Sequence, residues 1–166
     1  DARITMIYEG ANGIQALDLV GRKLPRDGGR AVMAFFNEVG TFLKEISGEE
    51  ALAPLAGPLK AGLDDLQKAT MWFMNNALAK PDNAGAGSTD YMHLFGIVAL
   101  GYMWARMAKS AQAALSSGAD GDKAFYETKL TLARYFMERH MPETSLRLAR
   151  VSAGADTMMG LDAAAF

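Results

Sequence analysis

Apolar residues recur at steps of three and four along most of the chain, the spacing of one face of an α-helix. Ile14, Leu17, Val20 and Leu24 make a first such stripe, which Pro25 ends by removing an amide donor and crowding the preceding turn. Val32, Phe35, Phe36, Val39, Phe42, Leu43 and Ile46 make a second, with Asp27 or Gly28 as its start and Ser47-Gly48 as its stop. Leu52, Leu59, Leu66 and Phe73 then recur every seven residues, flanked by Leu55, Leu63, Thr70 and Ala77. Ser47 and Glu50 have capping-box spacing ahead of this long third helix, while Pro54 and Pro58 predict a kink or a later start.

Lys80 to Ser88, KPDNAGAGS, is rich in turn formers and reads as a loop. A fourth helix is predicted from Thr89 to about Leu115, with Tyr91, Leu94, Phe95, Val98, Tyr102, Ala105 and Ala108 on one side. Gly96, Ala99 and Gly101 would let a neighbouring helix approach it closely. Residues 116–121 break the pattern. Phe125, Thr128, Leu132, Tyr135, Phe136 and Arg139 restore it as far as Pro142, and a short helix follows from about Glu143 to Val151. Gly154, Gly160 and the LDAAAF end predict loose packing. No segment alternates as a strand does. The expected fold is all-α: an antiparallel helical bundle with a leading arm or helix, because each apolar stripe must be buried and short links favour antiparallel neighbours.

A chain of 166 residues has room for one substantial core but not for two full domains. Its 11 Met and 8 Phe belong first to that core. The absence of cysteine excludes disulfides, thiolate metal sites and thiol nucleophiles, and suits a reducing cytoplasm. With a net charge of −2 and 17 dispersed basic residues, no stripe marks a nucleic-acid or anionic-membrane surface. The uncharged stretch between Asp90 and Arg106 is too short to span a bilayer and reads as a buried helix. The opening Asp1-Ala2-Arg3-Ile4 has neither an initiator Met nor a signal pattern, as expected of a fragment or processed product.

The isolated chemical groups point mostly to structure. Neither His93 nor His140 has a second histidine or a carboxylate pair at helical ligand spacing, so no metal site is predicted. His140 fits a helix C-terminus, where a cation is favoured, and His93 a partly buried polar position. Gly85 to Thr89 has the look of a phosphate cradle, yet it follows a helix and lacks the P-loop Lys. Asp64-Asp65 and Glu49-Glu50 are adjacent in sequence and diverge by about 100° around a helix, which rules out a facing acid/base dyad and predicts solvated surface.

The first sixteen residues, DARITMIYEGANGIQA, differ in kind. The runs DARI, IYEG and IQ resemble the catalytic signature of acyl-CoA dehydrogenases, in which Ile-Tyr-Glu-Gly-Thr leads into a helix containing Ile-Gln. By position alone Glu9 would be a surface carboxylate near a helix N-terminus. The resemblance implies that Glu9 is the base removing the proton alpha to an acyl-CoA thioester while the beta hydride passes to FAD. It also implies that Gly10 lies against the thioester and that Ala11, Asn12 and Gly13 meet the cofactor. Ala11 stands where the family has Thr, so a hydroxyl toward the cofactor is missing. Gln15 to Leu24, the bundle, and Arg134 to Glu143 resemble the C-terminal extension of a bacterial subgroup that includes methylmercaptopropionyl-CoA dehydrogenases.

The resemblance thus implies a division into residues 1–24, the end of the catalytic helical domain, and residues 25–166, a helical extension. It further implies an acyl-CoA substrate, homo-oligomers and an electron-transfer flavoprotein as acceptor. The piece alone should be inactive, since most walls of both binding sites would lie elsewhere. A non-catalytic helical interaction or oligomerisation domain is the other class the residues allow.

Overall fold

A computed structural model describes residues 4, 10–77, 79–118 and 122–165. Among these, six α-helices and no strand form the predicted bundle: α1 (Ala11–Asp18), α2 (Arg30–Ile46), α3 (Ala53–Asn76), α4 (Pro81–Ser117), α5 (Lys123–Arg139) and α6 (Glu143–Ala153). A π-helical turn, Leu19–Lys23, prolongs α1, and a 3₁₀ turn, Arg26–Gly29, leads into α2. Asp27, Gly28 and Gly29 all take positive φ there, so the chain reverses after Pro25 and α2 begins at Arg30, later than Asp27 or Gly28.

Helix α4, 37 residues and roughly 55 Å long at 1.5 Å per residue, is the axis of the fold. Phe35 stacks on Phe95, Tyr102 donates to Glu38 at 2.8 Å, and Lys109 pairs with Glu45 at 2.9 Å, so α2 runs parallel to α4. Helix α3 runs antiparallel, with Phe73 against Tyr91 and Leu59 beside Gly101. Helices α5 and α6 lie in series along α4, Trp104 meeting Phe136 and Asp90 meeting Arg147 at 2.7 Å. The heptad positions Leu52, Leu59, Leu66 and Phe73 are at most 2 % exposed and lie in one core with Val39, Ile46, Leu94, Val98 and Val151. Val20 and Leu24 join that core, so the segment after α1 packs on the bundle.

Several sequence expectations give way to packing. KPDNAGAGS is not a loop: α3 ends at Asn76, and α4 starts at Pro81 and runs through the rest of this stretch. Pro81 needs no amide partner at a helix start and Asp82 suits its positive end, while Gly87 lets the Phe73 ring close in, where a Cβ would come within 2.8 Å. Buried Asn83 accepts from the Ala155 amide at 3.0 Å and donates to the Asn76 carbonyl at 3.3 Å, fastening the C-terminal segment to this corner. The Ser47/Glu50 capping box does not form, since α3 starts at Ala53 and Ser47 donates to the Lys44 carbonyl. Helix α3 continues through Pro58; the lost ladder bond falls near the helix start, where Leu55, Leu59 and Leu63 are buried around it.

Of the glycines expected to admit a neighbour, Gly101 does so and Gly96 does not. A Cβ at Gly101 would stand 2.7 Å from the Met141 sulfur, and one at Gly62 would overlap the Met141 terminal methyl. Met141 therefore threads between α3 and α4. Of the apolar face expected for α5, Phe136 packs against the core and the larger part does not. Ala133 and Met137 face the core, whereas Phe125, Leu132 and Tyr135 are exposed. Asp65 is not a solvated carboxylate, being about 15 % exposed and accepting from Thr144 at 2.9 Å.

One buried polar pair ties α3 to α4. Thr70 donates to the Leu66 carbonyl at 2.8 Å, so the Tyr91 phenol, 2.7 Å away, donates to the Thr70 oxygen. Burial pushes the Tyr91 phenol up to about 12 from an ordinary 10.0. The folded state thus holds this proton more tightly than the unfolded chain does. Its contribution, on the order of 2 to 3 kcal/mol, is present below pH 10 and is lost as pH rises toward 12. In denaturant titrations Tyr91→Phe should cost about 1 kcal/mol at neutral pH for the lost hydrogen bond. The variant should also flatten the decline between pH 10 and 12; an unchanged alkaline decline would rule Tyr91 out as its source.

Candidate functional site

Glu9, the expected base, lies outside the described residues, as does Asp1 through Arg3 of the signature. The four other expected site residues are described and contiguous. Gly10 caps α1 at φ 128°, ψ −28°, a conformation that a side chain would strain, and among the described residues beyond its chain neighbours no atom lies within 4 Å of where a Cβ would sit. Its carbonyl accepts the Ile14 amide at 3.2 Å, which sets the first turn of α1. Ala11, Asn12 and Gly13 form that turn, and all three are exposed, as is Gly10. Amides of a first helical turn point outward along the axis, so this surface suits an anionic group such as a diphosphate, and the glycines keep it open. The residues present thus fit a cofactor diphosphate sterically. Ala11 supplies no hydroxyl toward it.

What holds the segment is its other face. Ala16 is fully buried and Val20 nearly so, while Ile14 and Leu17 of the same predicted stripe are 67 % and 51 % exposed. Only half of the stripe therefore meets this core. Farther along, Arg22 donates to Asp18, which holds the Asp18 carboxyl below its ordinary value on the exposed flank of the turn.

No group of three or more His, Asp or Glu able to hold a metal occurs among the described residues, and no described helix is long and apolar enough to cross a membrane. His140 ends α5 as expected, against the Tyr135 and Phe136 rings. His93 is exposed and not partly buried. The other polar convergences fasten helices: Thr144 to Asp65, Arg147 to Asp90, Lys80 to Asp156. A polar groove of about 590 Å³ between α2 and α4 holds two pairs, Tyr102 with Glu38 and Lys109 with Glu45, which tie the two helices together.

The family model described as "Acetyl-CoA dehydrogenase C-terminal like" matches residues 35–162, most of the bundle. The chain belongs to this family. It is similar to a 3-methylmercaptopropionyl-CoA dehydrogenase of Ruegeria pomeroyi, 34 % identical over 167 residues covering 96 % of this chain and 27 % of that protein. It is also similar to a broad-specificity linear acyl-CoA dehydrogenase of Mycobacterium tuberculosis, 30 % identical over 173 residues covering 100 % of this chain and 28 % of that protein. The chain therefore spans a little over a quarter of the length of these relatives.

The matched residues take in the buried positions from Phe36 to Val151 but none of the candidate site. Nothing in the hydrophobic periodicity could have pointed to residues 9–13. Only their identity in a motif singles them out.

Proposed function

We propose that this chain is part of a flavin-dependent acyl-CoA dehydrogenase, with residues 1–24 closing the catalytic helical domain and residues 25–166 forming a helical extension packed on it through Val20 and Leu24. The observation that carries the reading is the IYEG run of residues 7–10 ending on a positive-φ glycine that starts a helix with an open first turn. Family membership and the two acyl-CoA dehydrogenase relatives support it.

In this reading Glu9 removes the alpha proton of an acyl-CoA thioester. Desolvation by the substrate raises the basicity of the carboxylate toward that task. Gly10 leaves room for the thioester beside it. The Ala11, Asn12 and Gly13 amides hold the cofactor through its diphosphate at the positive end of α1. FAD, when bound, supplies the acceptor for the beta hydride. An electron-transfer flavoprotein as final acceptor, homo-oligomers and a cytoplasmic setting complete the reading and rest on the resemblance. The test is flavin bleaching by an acyl-CoA in the longer protein, with Glu9 intact and with Glu9→Gln.

The 166 residues by themselves should bind neither FAD nor acyl-CoA. Both ligands need walls on several sides, burying most of their surface, and the open Gly10 end of α1 offers one. Purified and desalted, the chain should show no visible flavin band; a stoichiometric yellow spectrum would contradict this division of the site.

A further inference from the structure

A groove of about 570 Å³ runs between the C-terminal half of α4 and the start of α5. Ser110, Ala111 and Ala114 are small enough to leave it open, and Met103, Met107 and Phe125 wall it while staying 48 %, 38 % and 53 % exposed. Of these, Phe125 is the one that the helical pattern of α5 would have turned inward, while Met103 and Met107 lie on the outer side of α4, where Leu100 extends the strip at 55 % exposure. Contiguous exposed apolar surface of this kind marks an interaction site, and methionine adapts to partners of varied shape.

Charge indicates what kind of partner. Arg106 lines the groove with its guanidinium 5.5 Å from the Tyr102 ring, and Lys129 lies 4.9 Å from the Phe125 ring and 5.9 Å from the Trp104 ring. Neither has an ion pair with a carboxylate among the described residues, whereas neighbouring Lys109 and Lys123 are matched by Glu45 and Glu127. The groove thus has an apolar floor, two cations, and the Ser110 and Tyr126 hydroxyls among its lining. Two copies of such a face would bring like charges together. A small amphiphile would be left largely in water, because the groove is wide and shallow, whereas bound small molecules are mostly enclosed.

We propose that the α4–α5 groove docks an acidic amphipathic helix of a partner protein, with apolar side chains at three- and four-residue spacing on Met103, Met107 and Phe125 and carboxylates on Arg106 and Lys129. This is helix-in-groove recognition with a charge-complementary rim. The inference makes no use of the 9–13 segment, since no residue of the groove belongs to it.

The probe is a fluorescein-labelled helical peptide of about 16 residues with Leu on one face and Glu on its flanks, titrated with the purified 166-residue chain and followed by anisotropy. Saturable binding should weaken about tenfold in Arg106→Glu/Lys129→Glu, which swaps two attractions for repulsions. It should weaken similarly with a peptide carrying Lys in place of Glu. Met107→Asp should also lose affinity. Lys60→Glu/Lys68→Glu, the same charge change on α3, should bind like the parent. Circular dichroism checks that each variant is folded. The proposal falls if the Lys peptide binds as tightly, or if the groove variants bind as the parent does. It falls equally if dodecanoate binds at Arg106 and Lys129 while the peptide does not, or if the chain instead self-associates in a way that Met107→Asp abolishes.

Discussion

Glu9→Gln in the longer flavoprotein is expected to leave flavin and acyl-CoA bound and to slow flavin reduction by at least about a hundredfold, the usual loss for removing a general base. Glutamine keeps the size and hydrogen-bonding shape of glutamate but has no basic oxygen, so the loss should appear in the reduction step and not in substrate affinity. Glu9→Asp should retain part of the rate, because a carboxylate survives one methylene farther from the alpha carbon. Glu50→Gln is the matched control: Glu50 is exposed in the link between α2 and α3 and takes no part in a helix cap, so reduction should stay near normal. Stopped-flow bleaching of the bound flavin by a saturating acyl-CoA reads this step directly. Near-parental bleaching in Glu9→Gln would place the base elsewhere and leave the 9–13 segment with a structural role.

Leu66→Ala should cost about 3 kcal/mol of bundle stability, and Leu100→Ala no more than about 0.5 kcal/mol. Both remove the same atoms from a leucine on a long helix, so intrinsic helix preference cancels. The difference is burial: Leu66 is 0 % exposed at the centre of the α3 heptad row, and Leu100 is 55 % exposed on the outer side of α4. Losing a buried isobutyl group forfeits transfer free energy and leaves a cavity that packed neighbours cannot collapse. Thermal melts should separate the two by roughly 6 to 12 °C for a domain of this size. Equal losses would mean that Leu100 is covered in solution, by another copy or another surface.

The helices of this protein were legible because a 3.6-residue period needs only local spacing. The rows 52–59–66–73 and 32–36–39–42–46 announced both the helices and the faces they bury, and the fold class followed from the absence of any alternating segment. The candidate site was legible by another route. Residues 9–13 carry no periodic signal, and only their likeness to a catalytic motif separates Glu9 from an ordinary surface carboxylate.

What local spacing could not decide was set by contacts between residues far apart in the chain. Turn-forming composition predicted a loop at 80–88, yet a Phe73 ring against Gly87 and the Ala155 amide on Asn83 favour a helix there by more than its propensities oppose it. The sequence determined that α5 is a helix, but its largest apolar residues are not the buried ones. Its direction along α4 turns Ala133 and Met137 inward and leaves Phe125, Leu132 and Tyr135 outside. Met141 in the space left by Gly62 and Gly101, 39 residues apart, is a choice that only three-dimensional packing makes. The same holds for the exposure of Ile14 and Leu17, since periodicity shows which residues share a face, and what covers that face depends on surfaces the period cannot encode.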